Sequence, residues 1–227
     1  MKIALITAMD IEYRHLVAML GGQPAGRHGD HEVVASMSGI GKVNAALTAQ
    51  RLILEQHPDC IVSTGLAGGL DHSLRPGDLV IGSQCAYHDV WCSMGNEWGQ
   101  VQGLPTRFDA DAQLLAAARQ VSTTSTVREG LIVTGDQFVD TADGVAAIRQ
   151  HVPDALACEM ESTAIAQTCH LHQVPFLAVR LISDTPGATA DHARQWETFL
   201  SEMSDQSFVW VKAFLEKVKT RPRSSAE

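Results

Sequence analysis

The stretch "LACEMESTAIAQTCHLHQVPFLAVRLISD", Leu156 to Asp184, decides the architecture. A short apolar run stops at Glu159 and Glu161, and a helix-like segment, "STAIAQTCHLH", follows. The run "PFLAVRLISD" at 175–184 then lacks polar alternation, as expected of a strand buried on both faces. Strand, helix and buried strand in this order form the crossover unit of a parallel sheet. The same alternation recurs along the chain. Strand-like runs occupy 2–7, 32–37, 60–64, 78–83 and 131–135. Between them, "DIEYRHLVAML" places Ile11, Leu16 and Leu20 on one side of a helix, and "KVNAALTAQRLILEQH" has Val43, Leu47, Leu52 and Leu54 in a second helical pattern. "TADGVAAIRQH" opens with Thr141 as its cap. The reading is an α/β fold with a largely parallel sheet flanked by helices. It forms one domain over residues 1–215 with a polar C-terminal tail over 216–227, and no repeat or linker divides it.

Composition narrows the function. The chain has 227 residues, 45% of them hydrophobic, enough to bury a sizeable core. Seventeen Lys and Arg against 26 Asp and Glu leave a formal charge of -9 without a basic cluster, which argues against nucleic-acid and anionic-membrane partners. The five cysteines, at 60, 85, 92, 158 and 169, include no CxxC pair and sit mostly in apolar runs, so they read as reduced core thiols and point to the cytoplasm. In "MKIALITAMD", Asp10 interrupts the apolar run before a signal-peptide core is complete. No run reaches the ~18 to 20 apolar residues of a membrane span.

In a parallel α/β sheet, ligands bind at the carboxyl ends of the strands. Three acids stand there: Glu12 after "KIALIT", Glu161 after "LACEM" and Asp184 after "FLAVRLIS". Each also has a plain structural reading. Glu12 complements a helix dipole, Asp184 starts a turn before "TPG", and one of Glu159 and Glu161, which cannot share a face, is solvated or paired structurally. "SGIGK" at 38–42 lacks the GxxxxGK[ST] spacing of a phosphate loop. "STGLAGGL" at 63–70 lets backbone approach a ligand closely, or simply forms a tight turn. "YHD" at 87–89 is the one histidine cluster near acid, and neither HExxH nor GxSxG occurs, so no metal site or serine nucleophile is expected.

Together, "AMDIE", "SGIGKVNAA", "TGLAGGL", "YHDV", "TGDQFV" at 134–139, "EMESTAIA" at 159–166 and "VRLISD" at 179–184 resemble the bacterial 5'-methylthioadenosine/S-adenosylhomocysteine nucleosidases. Purine and uridine phosphorylases belong to the same superfamily. The resemblance runs from residue 1 to about 215. It implies a nucleoside phosphorylase-like fold, a three-layer α/β/α sandwich around a mixed, largely parallel sheet. It also implies a homodimer and hydrolysis of adenosine derivatives without metal or organic cofactor. Asp184 would protonate the purine N7 as a carboxyl whose proton burial retains, and Ser183 would hold it. Glu12 would activate water, and Glu161 would accept the ribose hydroxyls, with Met160 packed against the sugar. Phe138 and Val139 would meet the adenine, Arg180 would be structural, and Met9, Leu66 and Trp196 would complete the pocket.

Two departures from the family pattern stand out. Leu66 replaces a serine found in some members. The loop "CSMGNEWGQVQG" at 92–103, which in the family reaches the neighbouring subunit's 5' pocket, offers Met94, Asn96 and Gln102 where aromatics are common. That lining leaves S-adenosylhomocysteine, 5'-deoxyadenosine and 6-amino-6-deoxyfutalosine as rivals to methylthioadenosine. A phosphorolytic purine nucleoside phosphorylase would need a cationic phosphate pocket, and "STGLAGGL" supplies no arginine. A non-catalytic nucleoside-binding protein would not need three carboxylates.

Overall fold

A computed structural model describes residues 1–187, 196, 198–200 and 206–220, with backbone alone at 206–208. The elements in chain order are β1 (Lys2–Thr7), α1 (Asp10–Met19), β2 (Ala25–His28), β3 (His31–Met37), α2 (Lys42–Gln56), β4 (Cys60–Gly69), β5 (Leu79–Tyr87) and β6 (Phe108–Asp109). Then follow α3 (Ala112–Ala118), β7 (Val127–Thr134), α4 (Ala142–His151), β8 (Ala155–Glu159), α5 (Ser162–His172), β9 (Phe176–Asp184) and α6 (Gln206–Lys217). The decisive stretch is therefore β8, α5 and β9. Strands β2 and β6 and helices α3 and α6 were not anticipated: "AGRH" has no apolar pattern, and two residues are too few to show one. Helix α6 ends at Lys217, and Val218 beyond it is buried in the main core. Residues 221–227 of the expected tail lie outside the described residues.

Strand alternation explains why both faces are filled. In β1, Ile3 and Leu5 enter a core with Leu16, Leu114 and Phe214, whereas Ala4 and Ile6 enter another with Ala45, Leu52 and Ile165. Helices α1, α3 and α6 thus cover one face, and α2 and α5 the other. Thr141 caps α4 by accepting from the Gly144 N–H at 3.1 Å, as its sequence predicts. Helix α2 turns three of its four marked apolar residues outward and buries the fourth, Leu52. Val43, Leu47 and Leu54 are 70%, 64% and 57% exposed, while the small residues Ala45, Thr48 and Ala49 join Leu52 and Ile53 inside.

The sheet is mixed. Its order is β2-β3-β1-β4-β8-β7-β5-β6, and β9 pairs in parallel with β4 and antiparallel with β5. Strands β4, β8, β7, β5 and β9 consequently close a ring, the link between β4 and β8 being the antiparallel pairs Gly68↔Cys158 and Gly69↔Ala157. Closure leaves no free edge on β8 and β9, the strands that lead to Glu161 and Asp184. A register shift between Ala67 and Gly68 brings Gly68 opposite Asp184.

Candidate active site

A cavity of about 110 Å³ opens over these strand ends. Glu12, Glu161 and Asp184 all line it, and they are only 2%, 7% and 3% exposed. The backbone explains how each acid tolerates burial. Glu12, in the first turn of α1, reaches back so that Oε2 accepts from the N–H groups of Ala8 (3.1 Å) and Met9 (3.0 Å), and Oε1 accepts from that of Leu66 (3.0 Å). Helix capping and a place in the cavity wall therefore coincide in one side chain. Gly65 makes room for it. At φ +152°, a Cβ on Gly65 would stand 2.5 Å from Glu12 Oε1. Burial raises the Glu12 pKa above the usual carboxylate range, while the Met9 N–H and the Arg180 charge work in the opposite direction.

Glu161 precedes α5 and accepts from the Gly41 N–H at 2.8 Å, at the start of α2. Desolvation first, and then the neighbouring Glu159, push its pKa up to about 7. Glu159 resolves the acidic pair, because it is the structural member. Its Oε2 lies 2.6 Å from Arg180 Nη2, its two oxygens accept from the N–H groups of Glu161 and Ser162, and Thr134 Oγ1 bonds to Oε1. Arg180 also donates to Ser63 Oγ at 2.8 Å, so the buried ion pair ties β9 to both β4 and β8. Asp184 ends β9, and Ser183 Oγ donates to its Oδ1 at 2.6 Å, the support expected of Ser183.

Met9, Leu66, Phe138, Val139, Met160 and Ser183 also line the cavity, as does Trp196. The Phe138 and Trp196 rings meet edge to face at 5.8 Å. Residues 188–195, which precede Trp196, lie outside the described residues. Met94, Asn96 and Gln102 do not line this chain's own cavity: Met94 and Gln102 are exposed, and Asn96 donates to the Cys92 carbonyl at 3.2 Å. Ile40 and Gln137 line it without having been singled out, although both lie in or beside quoted motifs, "SGIGK" and "TGDQFV".

Known proteins share this arrangement of chain. The sequence profile of the Phosphorylase superfamily matches residues 2–216. A 5'-methylthioadenosine/S-adenosylhomocysteine nucleosidase from Bacillus thuringiensis subsp. konkukian is 38% identical over 237 residues, which span 96% of this chain and 100% of that protein. Among solved structures, the corresponding nucleosidase of Neisseria meningitidis, in complex with methylthio-immucillin-A, superposes with a TM-score of 0.87 at 38% identity and covers 95% of this chain and 98% of its own. That of S. pneumoniae, with the transition-state inhibitor MT-ImmA, gives 0.89 at 34% identity, covering 96% and 100%. With the family profile and a close relative both spanning nearly the whole sequence, the chain belongs to the 5'-methylthioadenosine/S-adenosylhomocysteine nucleosidases of the phosphorylase superfamily.

Proposed function

We propose that this chain hydrolyses the N-glycosidic bond of 5'-methylthioadenosine and S-adenosylhomocysteine, releasing adenine and the 5-thioribose product. One observation carries the reading: Glu12, Glu161 and Asp184, buried carboxylates from three strand ends, line one cavity together with the Arg180-paired Glu159, with an aromatic side chain at its margin. Cleavage of such a bond passes through an oxocarbenium-like sugar, which negative charge stabilises. Glu12 takes a proton from the attacking water, whose oxygen bonds to the anomeric carbon. Asp184 delivers a proton to N7, so the C–N bonding pair leaves with neutral adenine. Glu161 accepts hydrogen bonds from the ribose hydroxyls and stabilises the cationic sugar, against which Met160 packs, while Phe138 stacks on the purine with Val139 beside it. Among the described residues no lysine or arginine lines the cavity, which disfavours phosphorolysis.

The working assembly in this reading is a homodimer. Val43, Leu47 and Leu54 form an outward apolar stripe on α2, and the exposed Ile40 beside it also lines the cavity. A second copy on this face would stand against the cavity and bring its Met94, Asn96 and Gln102 toward the 5' substituent. The two helix groups on opposite sheet faces support the layered α/β/α description of this single domain. A cytoplasmic site of action fits cysteines that form no disulfide among the described residues, four of them, Cys60, Cys85, Cys158 and Cys169, being buried. No described helix is long and apolar enough to cross a membrane.

The test is adenine release in phosphate-free buffer from methylthioadenosine, S-adenosylhomocysteine, 5'-deoxyadenosine and 6-amino-6-deoxyfutalosine, with Glu12→Gln and Asp184→Asn as controls. Release from the first two that disappears in both variants is expected. Release that requires added phosphate would overturn the hydrolase reading, and wild-type turnover in either variant would remove that residue from the mechanism.

A further inference from the structure

Beside the cavity three loops meet around one lysine that the reaction above does not use. Lys42 Nζ lies 2.9 and 2.7 Å from the two carboxylate oxygens of Asp89 and 3.7 Å from Asp136 Oδ2. Its backbone N–H donates to Asp136 Oδ1 at 2.8 Å, and the Asp136 N–H donates to Asp89 Oδ2 at 2.8 Å. The ammonium also stands 5.3 Å from the centre of the Tyr87 ring. The side chains of Lys42 and Asp89 are only 22% and 18% exposed, so this pair is not a solvated surface bridge of negligible worth.

Each member follows a different strand. Lys42 stands past β3, Asp89 past β5 and Asp136 past β7. The residue before Lys42 is Gly41, whose N–H holds Glu161, and Ile40 lines the cavity just ahead of it. The residues after Asp136 are Gln137, Phe138 and Val139, which line the cavity on another side. The cluster therefore joins the loop that holds Glu161 to the loop that carries Phe138, and it does so from outside the cavity. With the lysine removed, the Asp136 N–H would still draw Asp89 close, and two carboxylates would face each other without a cation.

We infer that Lys42, Asp89 and Asp136 form a clamp that fixes the separation of Glu161 from the Phe138–Val139 segment, so that Lys42 is a positioning residue for ligands that span both loops. For the identity of those ligands the inference rests on the nucleosidase reading. A ligand containing both sugar and base feels any change in that separation, whereas free adenine occupies one side only. A misplacement of ~1 Å costs on the order of 100-fold in rate, so a loosened clamp is visible in kinetics.

The experiment compares wild type, Lys42→Met, Lys42→Arg and Asp89→Asn. The readouts are kcat and KM for adenine release from methylthioadenosine, the thermal midpoint, and calorimetric affinities for adenine and for methylthioadenosine, the latter in a Glu12→Gln background. In Lys42→Met, kcat/KM is expected to fall by at least about tenfold, with nucleoside affinity reduced by a similar factor and adenine affinity changed by less than about threefold. Lys42→Arg, which keeps the charge, should recover most of the loss. Parallel loss of both affinities, or kcat/KM within about threefold of wild type at an unchanged thermal midpoint, would overturn the clamp. If Lys42→Met does not fold, Asp89→Asn opens the same contact and is judged by the same two affinities. Wild-type protein that binds methylthioadenosine without cleaving it would sink the hydrolase reading alone, and the affinities would still test the clamp.

Discussion

Replacing Glu161 by glutamine should make the protein more stable at alkaline pH while destroying its activity. Glu161 keeps its proton in the folded chain up to about pH 7, against 4.5 for the ordinary side chain, because burial and then Glu159 disfavour its charge. Between these two values the native state holds a proton that the unfolded chain has released, so stability falls as pH rises through the window. An interval of roughly 2.5 pH units, at about 1.4 kcal/mol each, sets an upper bound of about 3–4 kcal/mol lost from this one group by pH 8. Glutamine has nearly the same shape, retains an oxygen for the Gly41 N–H and carries no charge to desolvate. Urea unfolding at one fixed protein concentration should therefore find Glu161→Gln close to wild type near pH 4.5 and more stable by about 1–3 kcal/mol at pH 8. Equal or lower stability of the variant at pH 8 would refute the claim that Glu161 is held in the fold at a cost. Such a cost is characteristic of functional sites, where polar groups are kept in place by the surrounding structure.

Two other perturbations follow from contacts already described. Gly65→Ala should push the Glu12 carboxylate off its three N–H donors, since the added methyl would stand 2.5 Å from Oε1; steady-state assays should show kcat lowered at least about 100-fold, and a near-normal kcat would mean that Glu12 works from another position. Leu47→Asp, placed on the exposed face of α2, should yield a folded monomer by sedimentation with impaired nucleoside turnover; an unchanged oligomeric state would exclude that face as the contact between copies.

The sequence exposed the strand–helix–strand unit because its apolar runs are long and its helix has a clear start. It exposed Glu12, Glu161 and Asp184 because each follows a strand, and in this sheet type strand ends face the ligand. Helix α2 was misread for a physical reason. Periodicity finds the greasier stripe, but Ala45 and Ala49 let the helix approach the sheet and α5 closely, and the larger Val43, Leu47 and Leu54 are left outward. The role of Glu159 needed its partner, Arg180, which is 21 residues away and recognisable only once β9 lies beside β4. Ring closure was also hidden, since strand composition does not specify the antiparallel neighbours β8 and β5. "SGIGK", "YHD" and "TGDQF" were each legible as motifs, but their common purpose appears only when Lys42, Asp89 and Asp136 meet.

The placement of β9 orders events during synthesis. It is the ninth strand to leave the ribosome, yet it fills the gap between β4 and β5, whose segments emerged roughly a hundred residues earlier. Until residues 176–184 arrive, both older strands present an open side to any neighbouring nascent chain. The same segment delivers Arg180, the cation for the buried Glu159, together with Asp184. Translation thus completes the barrel-like ring, neutralises the buried Glu159 and supplies the last carboxylate of the trio in a single late step.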